Sequence, residues 1–362
     1  MEKSTAPGGK ALYPLVFEPL YKSYIWGGKN LDKFGKSLPD ANVAESWEIS
    51  AHPQGLGIVA NGPYEGKSLI DLVEELGQDL LGSLSTQKYG MVFPLLIKLI
   101  DANDWLSVQV HPGDEYARIH ENDFGKTEMW YVLEAEPGAK IIYGLADTYN
   151  KESYARLIAE GRIGESLAYS EVKAGDVVYL PAGKVHAAGK GILIAEVQQN
   201  SNATYRLYDY DRKNPDGTTR PLHIEKALDV IHFQEDASAG FCEGLSYDAS
   251  PELSVKVIIA DPHFCAEVLT LKGTAKIASD TRSFKTLTLL KGSAELHWEN
   301  GTLSLKAGQS LLLPAGLGEI ALEGDALFLK SYVEDLETDV LLPLNKAGYE
   351  LEEIRTRVGG IV

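Results

Sequence analysis

The sequence predicts a mainly β protein made of two related units with a few surface helices. Short apolar runs bounded by Gly, Pro or Asn recur along the chain, as PLVFEPLY, GLGIVAN, DVVYLPAG and GILIAEVQ. Helices are fewer, and three segments carry their signals. One segment also occurs twice: Val172 to His186 reads VKAGDVVYLPAGKVH, and Leu305 to Glu319 reads LKAGQSLLLPAGLGE. Each copy is a strand, a Gly, five residues and Pro-Ala-Gly. At 362 residues the chain has room for about two domains.

The helices follow in order. Ser68 and Asp71 form a start signal, and Leu69, Leu72, Val73, Leu76 and Leu80 share one apolar face. A second helix is expected from Lys151 to Glu160, stopped by Gly161, and a third from Ile224 to Val230. Their opposite faces are charged, so they pack on the surface of a β core. The small, polar, turn-rich stretch from Gln234 to Glu252 reads as a linker. It divides a catalytic unit, 1–235, from a degenerate unit, 236–362. The repeat supports that asymmetry, because the first copy carries His186 where the second carries Glu319.

Composition removes several classes of function. A formal charge of −18 repels nucleic-acid phosphate and anionic lipid. No apolar run approaches the roughly 18 residues that span a bilayer, and the longest, Met91 to Ile100, contains Lys98. The N-terminal stretch MEKSTAPGGKALYP lacks the apolar core of a signal peptide. Cys242 and Cys265 form no disulfide framework. A reduced, cytoplasmic setting is expected, with no membrane and no nucleic-acid partner. The Gly-rich pieces match no nucleotide-binding pattern.

The chemistry concentrates in three segments. In Ser107-Val-Gln-Val-His111, read as a strand, Ser107, Gln109 and His111 share one face. In Gly125-Lys-Thr-Glu-Met-Trp-Tyr-Val-Leu133, also read as a strand, Lys126 and Glu128 share a face. His186 follows the Pro181-Ala-Gly183 turn. Gln109, His111, Glu128 and His186 make a four-donor N/O set for a divalent metal such as zinc, iron, cobalt or manganese. His120, His232, His263 and His297 have no spaced partners, and His52 and His223 have no assigned role.

These segments resemble the type I mannose-6-phosphate isomerases, a cupin family. The resemblance runs through Tyr24-Ile-Trp-Gly-Gly28, Ala44-Glu-Ser-Trp-Glu-Ile-Ser50, Phe93-Pro-Leu-Leu-Ile-Lys-Leu-Ile-Asp-Ala102 and Leu106-Ser-Val-Gln-Val-His-Pro112. It continues through Gly125-Lys-Thr-Glu-Met-Trp-Tyr131, Leu180-Pro-Ala-Gly183 with His186, Glu196-Val-Gln-Gln199 and Thr204-Tyr-Arg-Leu-Tyr-Asp-Tyr-Asp-Arg212. It implies two cupin (jelly-roll) β-barrels, the second degenerate. It also implies one zinc ion per chain and interconversion of mannose 6-phosphate and fructose 6-phosphate through a cis-enediol. By the same resemblance Gln109, His111, Glu128 and His186 match the zinc ligands, Ser107, Lys98 and Lys126 line the sugar-phosphate pocket, and Arg206 is the active-site arginine. Lys126 and Arg206 are the expected catalytic residues, and Ser107 and Lys98 the expected substrate-binding ones. Arg206 suits the oxyanion or the phosphate; Lys98 and Lys126 suit the phosphate as point charges. The proton-transfer base stays open among a metal-bound hydroxide, Lys126, Glu196 and Asp209. Two positions depart from the family: Asn202 stands where Asp is common, and Lys184 adds a cation near His186. The competing readings are a cupin metalloenzyme of dioxygenase type and a non-catalytic sugar-phosphate-binding cupin. A monomer is expected, with a homodimer as the alternative.

Overall fold

The computed structural model describes residues 11–39, 42–214, 216–233, 240–277 and 280–361. The first ten residues of the stretch read against a leader, and 234–239 of the expected linker, lie outside the described residues. Strands make up most of the regular structure, and the named strands pair antiparallel throughout, as short turns dictate.

The first unit contains two sheets. One runs Val177–Leu180, Glu128–Ala135, Ile192–Gln199, Leu95–Ala102, Val43–His52 and Leu20–Gly28, with Gly55–Leu56 beside Val43–His52. The other runs Tyr205–Tyr208, Val108–Val110, His186–Ala188, Lys140–Leu145 and Leu167–Glu171. They face each other, since Trp130, Val132, Ile100 and Ile194 of the first share a core with Ile141, Tyr143 and Ala188 of the second. The second unit supplies seven strands of one eight-stranded sheet around Leu253, Leu269, Leu287, Leu311 and Phe328, the eighth being Leu15–Val16. The expected barrels are therefore open: the strand order of each sheet has two ends and does not close on itself.

Leu95–Ala102 shows why the inner strands read as continuous apolar runs. Every residue is buried, because both sheet faces are covered. Leu95, Ile97 and Leu99 pack outward into the core shared with the helices and the second unit, with Leu69, Leu72, Phe264 and Phe284. Lys98 and Ile100 point inward by alternation.

The predicted helices form. Leu69–Leu76 begins with the Ser68–Asp71 capping box and stops at Gly77, so Leu80 falls in the next short helix, Gln78–Leu81. Lys151–Ala159 and Ile224–Val230 follow. Two strand expectations change. PLVFEPLY divides into Leu15–Val16 and Leu20–Gly28 because Pro19 has no N–H to offer a ladder, and Leu15–Val16 pairs with Leu311–Leu312 of the second unit. In GLGIVAN only Gly55–Leu56 is a strand, and Ile58 and Val59 make isolated bridges. The expected linker also contains the strand Leu245–Ser250.

The repeat is structural. Gly175 and Gly308 both adopt φ +88°, preceding the strands Val177–Leu180 and Ser310–Leu313. The copies then diverge. The first leads into the buried strand His186–Ala188, whereas Glu319 in the second is exposed and accepts from Lys276 at 2.7 Å.

His263 joins the units. Its Nδ1 lies 2.6 Å from Asp261 and its Nε2 3.1 Å from Asp114 of the first unit. Burial alone would lower its pKa, but the two carboxylates outweigh it and raise the value to about 9. The protonated form therefore stabilises the fold fully below the ordinary histidine pKa, and the contribution fades as pH rises to about 9. His263→Gln is expected to lower stability by about 2–3 kcal/mol at pH 6, with the deficit shrinking from about pH 6.5 and gone above about pH 9. Urea unfolding of both proteins across that range measures it.

Candidate metal centre

The two facing sheets each present a row of side chains to the space between them. Across the five-stranded sheet, Tyr143, His186, Gln109 and Arg206 stand in register on adjacent strands. Across the seven-stranded sheet, Trp47, Lys98, Glu196 and Trp130 do the same. Opposed residues of an antiparallel pair point to one face, and Glu128, two residues before Trp130, joins that face.

His111, Glu128 and His186 meet between the rows, fully buried, with one donor atom from each within 4.8 Å of the others. His111 Nδ1 lies 2.8 Å from the Ala203 carbonyl and His186 Nδ1 2.9 Å from the Lys184 carbonyl. A carbonyl only accepts, so each Nδ1 carries the hydrogen and each Nε2 presents a lone pair. His186 Nε2 is 3.1 Å from Glu128 Oε1, and His111 Nε2 is 3.5 Å from Glu128 Oε2. Glu128 Oε1 is buried without a hydrogen-bond partner. Glu128 Oε1 and His186 Nε2 thus face each other with no hydrogen between them, an arrangement that suits a cation.

The Lys126 ammonium lies 2.9 Å from His111 Nε2 and against Glu128 Oε2. Burial would raise the Glu128 pKa, but Lys126 and the two imidazoles outweigh it and hold the carboxyl well below its usual range. Burial, with Lys126 beside it, holds His111 well below the usual histidine value. Both groups are therefore in the forms that ligate metal. Gln109 Nε2 is 3.4 Å from His186 Nε2, so turning its amide end for end brings the oxygen to the cluster. Ser107 Oγ donates to Gln109 Oε1 at 3.3 Å.

Above the cluster opens a cavity of about 310 Å³. Gln109, Lys126, Ser107, Lys98 and Arg206, all expected at the site, line it. Lys98 is held by Glu196 at 3.1 Å and Glu45 at 3.8 Å, with Trp130 Nε1 donating to Glu196 at 2.8 Å and Trp47 Nε1 to Glu45 at 2.7 Å. Burial opposes the charge on Lys98, but these carboxylates with Glu128 more than compensate and raise its pKa. Arg206 differs: among the described residues no carboxylate pairs with it, and its buried Nε has no partner. Burial and the neighbouring Arg220 push its pKa below the ordinary arginine value.

Lys126 reaches the site from outside a strand. Glu128–Ala135 starts two residues later, and Lys126 is instead pinned to the other sheet's turn, its N–H donating to the Pro112 carbonyl at 2.9 Å. Gly125 permits the approach, since a Cβ there would lie 2.5 Å from Asp114 N. Likewise only Val108–Val110 is strand, with Ser107 and His111 at its ends. Asp209 serves Arg212 and Arg220. Asn202 lines the cavity and bonds Gln54, whereas Lys184 is buried over the Tyr143 ring, 4.9 Å from its centroid, outside the cavity. Sequence reasoning missed Arg220, Lys226 and Glu121 and gave His223 no role; all four line the cavity. The three-residue spacing of Arg220, His223 and Lys226 ahead of and into a helix was the available signal.

Fold and site together define a cupin-type β protein with a buried His/Glu/His triad, whose donors could hold a metal, under a cation-lined cavity. A family model for the phosphomannose isomerase type I catalytic domain matches residues 15–137, and one for the mannose-6-phosphate isomerase cupin domain matches 255–333. The chain is 40% identical to mannose-6-phosphate isomerase ManA of Bacillus subtilis over 321 residues, 88% of this chain and 99% of that one. It is 39% identical to the mannose-6-phosphate isomerase of Streptococcus mutans over 320 residues, 88% of this chain and 98% of that one. The crystal structure of the Bacillus subtilis mannose 6-phosphate isomerase matches with a TM-score of 0.81 at 37% identity, covering 88% of this chain and 99% of that one. The chain belongs to the type I mannose-6-phosphate isomerase family. Among the described residues no helix is long and apolar enough to cross a membrane.

Proposed function

We propose that the chain interconverts mannose 6-phosphate and fructose 6-phosphate, with one zinc ion held by His111, Glu128, His186 and the Gln109 amide oxygen. The observation that carries the reading is the set of three buried acceptors facing one another beneath a cavity lined by Arg206, which has no carboxylate partner among the described residues. Family membership of relatives that bear the isomerase name supports it. An all N/O set with one carboxylate suits zinc and leaves the ion a net charge of about +1.

The reaction moves a carbonyl from C1 to C2. C2 gives up a proton and O1 gains one, forming the cis-enediol; C1 then gains a proton as O2 loses one. When bound, the metal supplies Lewis-acid stabilisation of the negative charge that develops on O1 and O2. Lys126, at the cluster and in the cavity, is placed to hold or move a proton beside those atoms. Ser107 and Lys98 bind the sugar along the cavity wall, and Arg206 supplies charge without having to leave an internal partner. The tryptophans clamp Glu196 and Glu45, which fix Lys98 in place. We assign this chemistry to 1–235 and a supporting role to 236–362, where Glu319 replaces His186 at the surface. The two free cysteines suit a reducing cytoplasm.

A coupled assay following fructose 6-phosphate formed from mannose 6-phosphate tests the reading. Run in D₂O, it should place deuterium at C1 of the product. Folded, metal-loaded protein that binds sugar phosphate without turnover would mark a binding protein instead.

A further inference from the structure

Lys126 lies two residues before a strand, so its placement depends on bonds outside any ladder. Three successive N–H groups at this point of the chain are engaged. Gly125 N–H donates to Asp114 Oδ1 at 2.7 Å, Lys126 N–H to the Pro112 carbonyl at 2.9 Å, and Thr127 N–H to the Gln199 side-chain oxygen at 2.9 Å. Gln199 closes the bracket: its side-chain amide donates to the same Asp114 Oδ1 at 2.9 Å, and its backbone N–H to the Thr127 carbonyl at 3.1 Å. Gln199, Thr127 and Lys126 are all buried, so a bond lost here is not simply replaced by one to water.

The bracket is anchored across the boundary between the units. The other oxygen of Asp114 lies 3.1 Å from His263 Nε2. His263 is fixed in turn by Asp261, whose Oδ1 lies 2.6 Å from Nδ1 and accepts the His263 backbone N–H at 2.8 Å. Tyr179 donates to the second Asp261 oxygen at 2.6 Å, and Tyr89 to the His263 carbonyl at 3.1 Å. An imidazolium between two carboxylates donates to each, so Asp114 accepts from three donors at once. His263 above all, with the Gly125 N–H, holds its pKa down at about 2 against the effect of burial.

The metal ligands do not depend on this bracket. Glu128 is held by its own strand, opposite Leu180 on one side and Gln198 on the other. His111 is set by the Ala203 carbonyl. Lys126 has no strand pairing behind it, and its ammonium sits at the end of a four-carbon stem. A displacement of about 1 Å at a reacting group can cost about 10²-fold in rate.

We propose that Asp114 and Gln199 are positioning residues for Lys126, buttressed from the second unit by His263. None of the three lines the cavity above the metal centre, so they act through the backbone of 125–127. This rests on the reading of Lys126 as a group that holds or moves a proton in the isomerase reaction. It gives the second unit a part in turnover, although that unit supplies no residue to the cavity lining.

Kinetics, zinc content and amide hydrogen exchange of the zinc-loaded protein test it. Asp114→Ala should lower kcat for mannose 6-phosphate about 10- to 100-fold, with KM within about threefold and zinc bound as in the parent. Asp114→Asn keeps the oxygen that Gly125 and Gln199 share and should recover most of the loss. His263→Gln, assayed well below its melting temperature, should fall between the parent and Asp114→Ala. In a Lys126→Met background Asp114→Ala should cost less than about twofold, because effects that run through one side chain do not add. The amides of Gly125 and Thr127 should exchange about tenfold faster in Asp114→Ala. Unchanged kcat in Asp114→Ala, an equal loss in the Lys126→Met background, or loss of zinc along with turnover overturns the assignment. His263→Gln with the parent's kcat would remove the second unit's part. If the parent binds zinc without turning over, the isomerase reading falls and the exchange rates alone decide: faster exchange upholds the bracket, and unchanged exchange overturns it.

Discussion

Glu128→Gln is expected to lose bound metal and to lower turnover by about 10³-fold or more, the several kcal/mol that a Lewis acid contributes. The substitution keeps shape and volume at a fully buried position, so packing against Trp130 and His186 is retained. It removes the only carboxylate of the triad. The new amide brings N–H donors to a place where His111 and His186 both present lone pairs, which satisfies them without a cation. Metal-free Glu128→Gln should therefore stay folded, with the far-ultraviolet circular dichroism of the parent. Metal analysis and the coupled assay together read the outcome; full metal content with full turnover would mean that the triad is misassigned.

Arg206→Gln is expected to lower kcat/KM for mannose 6-phosphate by about 10²- to 10³-fold, the worth of one or two charge-assisted hydrogen bonds in a partly desolvated site. The argument rests on pairing. Lys98, Lys126, Arg220 and Lys226 each have a carboxylate of their own, whereas Arg206 has none among the described residues. Its removal costs the fold no ion pair, so melting temperature should change little. Arg206→Lys should recover part of the loss, because the charge returns without the planar fork that grips two oxygens. A drop of less than about threefold in Arg206→Gln would show that the arginine does not meet the substrate.

That His111, Glu128 and His186 would meet was legible because local rules decide it. Alternation along Val108–Val110 aims Gln109, and the Pro181-Ala-Gly183 turn delivers His186 to the neighbouring strand. The helices were equally local: the Ser68–Asp71 box and Gly77 mark both ends of Leu69–Leu76. Lys126 reaches the cavity for a different reason from the one the pattern offered, since it is held by the Pro112 carbonyl and not by strand pairing. The outer rim was harder. Arg220 and His223 become cavity residues only because the 220–223 segment docks on the Arg206 backbone, a contact that no periodicity encodes. His263 looked unpartnered because Asp114 lies 149 residues away in sequence. The open ladders likewise depend on edges such as Val177–Leu180 and Leu20–Gly28, which strand composition does not reveal.

The most direct test of the central claim is a titration of zinc into chelated, folded protein, reading bound metal and fructose 6-phosphate formation in the same samples. Turnover should be absent at the start, rise in proportion to bound zinc and level off at one ion per chain, with His186→Ala flat throughout. Undiminished turnover in metal-free protein would contradict the metal centre and the mechanism built on it.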